Sequence, residues 1–573
     1  MSAPKPRGPD APLASPGALI ASLERTKNRF TPEDRAAKWS ALAGLVSQSI
    51  REPGLLLRFH EALCFLRAYP DDAVLLAQVE DALAKFGARV AALLATGPPG
   101  IAETLDETGV AATTVYCPLS YAAASWLAAA FPDSAELDWD DGDTEERVAG
   151  LLPLVVGASD EDALVEVGIP SRAWLAAAKG AASGSDLAWL LGRLARAPLG
   201  GRAALALYDA RELRVRWELG EGGAARTHAH LPVDRVFFHR GRLRRPRGSL
   251  ARRRPGHRLR VRPASPAEGA ELLDTARAAV IVRYREVHGF NFADPADVLL
   301  ADAGRGVRIA WFGLRPGHRL PLRAHYGYLL LKNGVPVGYG DASLLFDWVE
   351  LAYNIFDTFR QGESGFVFAR ILGFLRQQFG TRTFHLSRYQ IGHDNDEALA
   401  SGAFWFYYKL GFRPTRAELA RLARQERRRI TLQPGYRSSR ATLRRLAGDG
   451  MVLEVGGAQP AARAFDVRRV GLAAARLSAS GAAGRVARAV GAPGWRSWPS
   501  AERLAFRQLA PLLALIPDLP DWPRPDRSAL VPLIRAKGGR READYLGLMR
   551  RHRRLRAALL RLADTPRDPA ESG

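Results

Sequence analysis

The chain has 573 residues and a mass of 62.5 kDa, which is too long for one hydrophobic core and predicts roughly two to four domains. It has no run of about 18 apolar residues that could cross a bilayer, and its start lacks the apolar core of a signal peptide. We therefore predict a cytoplasmic protein that does not span a membrane. Two cysteines, Cys64 and Cys117, are too few for a disulfide framework or a thiolate metal site, and their apolar neighbours predict buried thiols.

The formal net charge is +22, from 82 basic and 60 acidic residues. Such a charge suits a nucleic-acid partner, because arginine and lysine attract phosphate groups. Only eight of the basic residues are lysine, however, and alanine is abundant too. This composition indicates a coding bias toward arginine. Because the basic residues are also scattered along the chain, the charge alone does not favour a nucleic-acid partner.

The N-terminal half is predicted to be mainly helical. Residues 1–16 carry five prolines and are predicted to be a disordered tail, as are residues 565–573 at the other end. Residues 17–197 are predicted to form a helical domain. Apolar residues at three- and four-residue spacing in Leu55–Leu66 and again in Val74–Leu83, separated by Tyr69-Pro-Asp-Asp, predict an antiparallel helix pair.

Two segments separate this domain from the next. Residues 198–240 form a predicted strand-rich segment, because apolar and polar residues alternate in Ala204–Tyr208, Leu213–Trp217 and Val233–Phe238. Residues 241–265 are rich in arginine, proline and glycine, which is typical of a linker or an exposed loop.

Residues 266–416 contain an ordered series of predicted strands and helices. The strongest pattern is a hairpin in which Asn333-Gly334 joins Tyr328–Lys332 to Val335–Tyr339, because Asn-Gly accepts the positive φ angles of a type I′ turn. A helix from Pro266 and a strand at Val307–Trp311 precede it; a strand at Trp348–Phe356, a turn at Arg360–Gly365, a helix at Phe366–Arg376 and a strand at Thr383–Ser387 follow it. Residues 417–564 are predicted to be mostly helical, with an amphipathic helix over Tyr545–Leu562 at their end.

Residues 404–414 read Phe-Trp-Phe-Tyr-Tyr-Lys-Leu-Gly-Phe-Arg-Pro. This segment resembles the last helix and the following strand of GNAT-type N-acetyltransferases. The order of elements over residues 266–416 also resembles the GNAT fold. The predicted fold class is therefore a multidomain α+β protein with a mostly helical N-terminal region, a central GNAT-like mixed β-sheet with helices, and a helical C-terminal region.

The resemblance implies acetyl-CoA or another acyl-CoA as co-substrate and no metal. In the family, backbone N–H groups at a strand-to-helix turn bind the pyrophosphate of coenzyme A. The turn pattern places Arg360 first and Gly365 last, but Glu363 stands where glycine is usual, and Gly362 comes one residue early. The residues that the resemblance assigns to cofactor binding are Ile355, Arg360, Gln361, Gly362, Ser364, Gly365 and Asn395.

The resemblance also implies catalytic roles. Tyr407 matches the tyrosine that protonates the departing thiolate, and Glu350 lies where some members carry a carboxylate that removes the proton of the amine. Glu350 could equally be a residue of the strand surface. Asn395 lies farther before Tyr407 than the corresponding asparagine of the family, which indicates a longer helix or an insertion. The predicted activity is acetyl transfer from acetyl-CoA to an amine by direct attack in a ternary complex, and the sequence does not identify the amine.

Two other functions compete with this prediction. Gly362-Glu-Ser-Gly365 resembles the nucleophile elbow of α/β-hydrolases, with Ser364 as nucleophile and Asp394 and His385 or His393 as partners. The hydrolase ranks lower, because Phe366 replaces the last glycine and the chain order of acid and histidine does not fit. The other candidate is a catalytically degenerate GNAT-like binding or scaffold protein with a protein or RNA partner, which Glu363 favours.

Overall fold

The computed structural model describes residues 14–97, 100–157, 162, 168–197, 201–220, 222, 224–246, 248–250, 258–456, 465–477 and 479–564. The tails predicted at residues 1–16 and 565–573 lie outside these ranges, apart from residues 14–16. The protein is mixed α/β, with 54% helix and 15% strand. Along the chain, mostly helical regions precede and follow the strands of a large mixed sheet. No helix in the described ranges is long and apolar enough to cross a membrane.

The N-terminal region is mostly helical and carries a small sheet. Its helices are α1 (Pro16–Thr26), α2 (Pro32–Val46), α3 (Pro53–Ala68), α4 (Ala73–Ala84), α5 (Phe86–Thr96), α6 (Ile101–Leu105), α7 (Tyr121–Ala130), α8 (Thr144–Ala149), α9 (Leu152–Val155), α10 (Ser171–Lys179), α11 (Asp186–Arg196) and α12 (Gly201–Asp209). The strands β1 (Thr113–Pro118), β2 (Ala135–Leu137) and β3 (Arg214–Leu219) form an antiparallel sheet in the order β1-β3-β2.

The helix pair predicted around Tyr69 is confirmed as α3 and α4. The break between them has a local cause, because the side chain of Asp72 accepts a hydrogen bond of 2.9 Å from the Leu75 N–H and caps α4. Both cysteines are buried and unbridged, as predicted. Burial raises the pKa of the Cys117 thiol to about 12.

Two of the three strands predicted in residues 198–240 are wrong. The stretch Ala204–Tyr208 lies in α12, where Ala204 and Tyr208, four residues apart, are both buried, so a helical spacing prevails over the alternation. The stretch Val233–Phe238 has no strand pairing, because the backbone of Phe237 exchanges hydrogen bonds with the side chain of Asn333 instead. The third prediction, Leu213–Trp217, is confirmed by β3.

In the part of the chain that the structure describes, the central sheet has ten strands. They are β4 (Arg260–Pro263), β5 (Ala293–Gly304), β6 (Val307–Leu314), β7 (Ala324–Lys332), β8 (Val335–Leu345), β9 (Trp348–Leu351), β10 (Asn354–Ile355), β11 (Thr383–Leu386), β12 (Arg413–Pro414) and β13 (Met451–Glu454). Their order is β12-β13-β11-β9-β8-β7-β6-β5-β4, and β10 continues beside β8. The pair β9–β11 is parallel, and the other pairs are antiparallel.

The helices associated with this sheet are α13 (Pro266–Ile281), α14 (His288–Asn291), α15 (Ser364–Phe379), α16 (Asp396–Ser401) and α17 (Ala403–Leu410). The predicted Asn333-Gly334 hairpin is confirmed: both residues have positive φ, and Lys332 pairs with Val335. On the α15 side of the sheet, Trp311 stacks on Tyr328 at 5.1 Å and contacts Phe374 of α15 at 5.0 Å between ring centroids. Along the chain α15 is the crossover between the parallel strands β9 and β11. The aromatic layer packs this helix against the sheet.

The sheet extends beyond the predicted limits of 266–416, because β4 precedes that range and β13 follows it. The C-terminal helices are α18 (Ala417–Leu432), α19 (Arg440–Leu446), α20 (Val467–Ala475), α21 (Ala479–Val490), α22 (Ser500–Leu513), α23 (Arg524–Ser528), α24 (Leu530–Lys537), α25 (Glu542–Arg551) and α26 (Arg553–Asp564). The helix predicted over Tyr545–Leu562 is in fact two helices, α25 and α26. Arg319 attaches this region to the sheet, since it donates to the carbonyl oxygens of Lys537, Gly539 and Arg540.

Candidate functional site

A gap opens in the sheet where its two parallel strands separate. The last residue pair of β9 and β11 is Glu350–His385. Beyond it, the chain of β9 continues as β10, which pairs with β8, while β11 ends at Leu386. Because neither chain then pairs with the other, the backbone of Tyr353 faces the turn after β11 rather than a neighbouring strand.

The side chain of Gln390 closes this gap. Its Nε2 donates to the Tyr353 carbonyl oxygen at 2.8 Å, and its Oε1 accepts from the Tyr353 N–H at 3.4 Å. The same Nε2 donates to the hydroxyl of Tyr407 at 3.0 Å. One carboxamide thus satisfies both backbone groups that the separated strands leave without a partner. Sequence reasoning missed Gln390 and Tyr353, and the only signal was a polar residue just after a buried strand.

The side chain of Tyr407 also reaches the gap, from the face of the sheet that α15 covers. It lies in α17, is 2% exposed, and packs edge-to-face on Phe368 of α15. Its hydroxyl lies 3.5 Å from the Tyr353 carbonyl oxygen as a donor. Burial raises the pKa of this hydroxyl, and the hydrogen bond from Gln390 opposes that shift only in part. Tyr407 is therefore neutral near pH 7, and its hydroxyl is directed at the gap.

Glu350 lies at the start of the gap on the face of the sheet opposite α15. It is the third member of a polar row across four strands, in which His325 pairs with Ser343, Ser343 with Glu350 and Glu350 with His385. Its carboxylate accepts a hydrogen bond of 2.9 Å from Arg323, and its side chain is 38% exposed. The Nδ1 of His325 lies 3.0 Å from the Ser343 hydroxyl, and burial lowers the pKa of His325 to about 4. His325 is therefore neutral near pH 7.

Asp341 belongs to the same face, since it lies two residues before Ser343 on β8. Burial, and secondarily the charge of Glu350, raises the pKa of Asp341 from 3.8 to about 6. The row thus combines a carboxyl group paired with Arg323 and a second carboxyl group, Asp341, whose pKa is about 6. Such a pair can accept a proton from a ligand in the gap. Asp341 was not predicted from the sequence.

The raised pKa of Asp341 predicts a pH-dependent gain for the variant Asp341→Asn. The protonated carboxyl contributes stability that is fully present below its ordinary pKa and is lost as the pH rises through about 6. We expect Asp341→Asn to stabilise the fold by about 1 to 3 kcal/mol at pH 7.5 and to leave it nearly unchanged at pH 4. Urea unfolding at several pH values measures this, with Asp302→Asn, from an exposed pair with Arg260, as control. A gain that is the same at both pH values would contradict the prediction.

The turn Arg360–Gly365 is not an open cradle. Glu363, which was the departure from the family pattern, has no exposed surface. Its carboxylate accepts hydrogen bonds from Arg305 at 2.7 Å, from Lys332 at 3.3 Å and from the Arg244 N–H at 2.8 Å. Burial lowers the pKa of Lys332 to about 8, although the charge of Glu363 opposes this shift. The carboxylate therefore points into a buried ionic cluster and away from the mouth of the turn.

Other parts of the chain cover this turn. A Cβ at Gly362 would overlap the hydroxyl of Tyr69, which directly follows α3, and a Cβ at Gly365 would lie 3.0 Å from the Cδ of Pro246. Pro246 and Arg244 belong to residues 241–265, for which the sequence predicted a linker or exposed loop. The described residues 241–246, 248 and 249 lie outside helices and strands and most of them are exposed, as in a loop, whereas Arg260–Pro263 form β4. The segment also supplies a donor to the buried carboxylate of Glu363, through the Arg244 N–H.

The remaining predicted site residues contact other residues of the chain. Arg360 forms ion pairs with Asp357, at 2.7 Å, and with Glu397, while Gln361 accepts from Asn28 at 3.3 Å. Ile355 lies in β10, opposite Gly338. Asn395 caps α16, accepting from the Ala398 N–H at 3.0 Å.

The hydrolase residues do not come together as a triad. His393 forms an ion pair with Asp394 at 3.3 Å, and His385 lies in β11 beside Glu350. Ser364 is the first residue of α15, and its carbonyl oxygen accepts from the Tyr353 hydroxyl at 2.7 Å. Within the described ranges its own hydroxyl has no hydrogen bond to either histidine. The same ranges contain no group of three or more histidine, cysteine, aspartate or glutamate side chains that could hold a metal ion.

Comparison of the chain with protein-family models, with curated proteins and with solved structures finds no match.

Proposed function

We propose that this protein is an acyl-CoA-dependent N-acyltransferase whose reaction takes place in the gap between β10 and β11. The observation that carries the proposal is the position of the Tyr407 hydroxyl, 3.5 Å from the Tyr353 carbonyl oxygen at the point where the parallel strands separate. Together with the Tyr-Tyr-Lys-Leu-Gly-Phe segment that begins with Tyr407, this position supports a general acid for a thiolate that leaves inside the gap.

The chemistry needs two proton movements that residues of the chain can serve. An acyl thioester supplies the acyl group, and the amine nitrogen bonds to the acyl carbon as the carbon–sulfur bond breaks. Tyr407 would give its proton to the departing sulfur. Glu350 or Asp341, directly or through water, would take the proton that the amine nitrogen loses. Proton balance is restored when Tyr407 regains a proton from solvent and the carboxyl group releases to solvent the proton that it accepted.

The gap and the turn differ in how well they suit an acyl-CoA. The arm of coenzyme A carries amide groups, and the Gln390 carboxamide shows that the Tyr353 backbone pairs with an amide. Leaving a buried polar group unpaired would cost about 1 to 3 kcal/mol. A bound arm that replaced Gln390 would avoid this cost, because its own amide would pair with the Tyr353 backbone. The turn does not suit a diphosphate as it is folded, because Tyr69 and Pro246 cover it. We assign no step to it.

The buried Glu363 favours a second candidate, a GNAT-like binding or scaffold protein that does not catalyse. In this alternative the ionic cluster of Glu363, Arg305 and Lys332 would hold the N-terminal region on the sheet through Tyr69. The Tyr69 hydroxyl accepts a hydrogen bond from the Glu363 N–H, and the Lys332 ammonium lies 4.9 Å from the centroid of the Tyr69 ring. The gap would then stay closed by Gln390. The two candidates differ in whether any acyl thioester binds.

Thermal unfolding and thiol release together test the proposal. The full chain is heated with and without 1 mM acetyl-CoA, and thiol release from acetyl-CoA and from S-acetyl-pantetheine is followed with a panel of primary amines. A ligand at about 100 times its Kd should stabilise the fold by about 2.7 kcal/mol. If S-acetyl-pantetheine serves as well as acetyl-CoA, the diphosphate makes no contribution. Neither stabilisation nor amine-dependent thiol release from either thioester would refute the acyltransferase and leave the scaffold candidate.

A further inference from the structure

An arginine-lined groove lies in the C-terminal helical region, remote in sequence from the gap. It has a volume of about 690 Å³ and is lined by Gly481, Ala483, Gly484, Arg485, Arg488, Trp495, Arg496 and Arg507. The four arginines come from α21, from the turn before α22 and from α22 itself. All four are exposed.

These arginines have no acidic partner among the described residues. Elsewhere in the same region, Arg535 pairs with Glu502, Arg554 with Asp526 and Arg556 with Asp347. The groove therefore concentrates four positive charges that the protein itself does not neutralise. Like charges at neighbouring positions of a helix, such as Arg485 and Arg488, destabilise it, and a bound anion would relieve that repulsion.

Two of the guanidinium groups are held in place by one indole ring. The guanidinium carbons of Arg496 and Arg507 lie 5.0 and 5.8 Å from the centroid of Trp495. Trp495 is itself 4% exposed and packs on Phe506 at 4.7 Å. Its ring is therefore a support for the arginines and is not available to stack on a base. Recognition in the groove rests on charge and on the forked donor geometry of arginine, which matches phosphate.

The glycines of α21 share the face of the arginines. Gly481, Gly484, Arg485 and Arg488 have the spacing of one helix face. Glycine is unfavourable in a helix interior, and here packing within the protein does not require it: a Cβ at Gly484 would meet no atom within 4 Å, and one at Gly481 would meet only the Arg485 side chain. The missing side chains leave room for a ligand to approach the helix closely.

From these observations we propose that the groove binds the sugar-phosphate backbone of a nucleic acid strand without reading its bases. A concave site with four arginines that lack an acidic partner among the described residues fits successive phosphates of a strand. Trp495, the aromatic residue in the described lining of the groove, is covered and therefore cannot stack on a base. This inference is independent of the gap and of the proposed acyl transfer.

The test is fluorescence anisotropy of the full chain with 20-nucleotide oligo(U) RNA and oligo(dT) DNA, titrated from 50 to 300 mM NaCl. Four phosphate contacts to a single strand predict a slope of log K against log salt of about −3. Replacing Arg485, Arg488, Arg496 and Arg507 with Gln should weaken binding about tenfold or more and remove most of that slope. Gly484→Leu, which fills the groove without changing its charge, should also weaken binding.

A second quadruple variant serves as the matched control. Arg421, Arg424, Arg427 and Arg428 are four exposed arginines on α18 that also have no acidic partner among the described residues. Their replacement with Gln removes the same net charge and should leave the affinity within about twofold of wild type. Circular dichroism confirms that each variant is folded. Equal losses in both quadruple variants, or no binding by the wild type, would overturn the proposal, as would unchanged binding by the groove variant.

Discussion

Replacing Glu363 with Gln is expected to lower the free energy of unfolding by about 3 to 5 kcal/mol, because it leaves two cationic side chains without their shared carboxylate in a closed site. Lys332 has no exposed surface, and Arg305 and Lys332 both donate to Glu363. An amide oxygen can still accept one hydrogen bond, but it carries no compensating charge. Urea unfolding at pH 7, with the change in midpoint and slope, measures the loss.

The same variant has a pH signature that a simple packing defect lacks. Burial already lowers the pKa of Lys332 to about 8, and the charge of Glu363 works against that shift. Without this charge, the pKa of Lys332 falls further, so the folded variant binds fewer protons than the unfolded chain at pH values below 8. Its stability therefore rises with pH in that range, and its deficit relative to wild type shrinks as the pH approaches 8.

The control for Glu363→Gln is Glu418→Gln, from the exposed pair of Glu418 with Arg416. An exposed ion pair contributes about 1 kcal/mol or less, so this variant should unfold almost as the wild type does. Equal, small losses in both variants would show that the cluster around Glu363 is not a buried ionic site in solution.

Tyr407→Phe is expected to lower the rate of acyl transfer by about 10²- to 10⁴-fold while leaving the Kd for the acyl donor nearly unchanged. The change removes the hydroxyl that faces the gap and keeps the ring that packs on Phe368 and Phe412. Gln390 retains its hydrogen bonds to Tyr353, so the gap keeps its lining. Steady-state thiol release and equilibrium titration with acetyl-CoA separate the rate from the affinity.

Tyr408→Phe is the matched control for Tyr407, because Tyr408 is the next residue of α17 but packs on Phe404 and Arg413. Its turnover should stay within about twofold of wild type, since its hydroxyl takes no part in the proton transfer. An unchanged rate in Tyr407→Phe would remove Tyr407 from the proposed mechanism. Comparable losses in both variants would indicate a disturbed helix rather than a missing acid.

The parts of the fold that the sequence predicted correctly depend on neighbours along the chain. The Asn333-Gly334 turn can be predicted from two residues alone, because the residues that adopt positive φ are adjacent in the sequence. The helix after Gly365 and the aromatic helix around Tyr407 also show their spacing locally. By contrast, Ala204–Tyr208 alternates like a strand and is helical, because its buried residues serve both patterns.

The parts that were missed depend on partners far away in the sequence. The sequence marked Glu363 as unusual, but its burial and its hydrogen bonds depend on Arg305, 58 residues away, and on Tyr69, 294 residues away. Gln390 closes the gap by binding Tyr353 across 37 residues. No periodicity or motif connects such residues. The sequence therefore indicated the segments that form the turn and the gap, and the closure of both became visible only in three dimensions.

The position of β13 affects how the sheet can form during translation. This strand hydrogen-bonds to both β11 and β12, and in the described structure β12 has no other strand partner. Translation therefore delivers β11 and β12 well before the strand that joins them. Until residue 454 has emerged, one edge of β11 stays unpaired, and an open strand edge is a template for pairing with other chains. The nascent protein thus passes through an interval in which this edge of β11 is open to pairing with other chains.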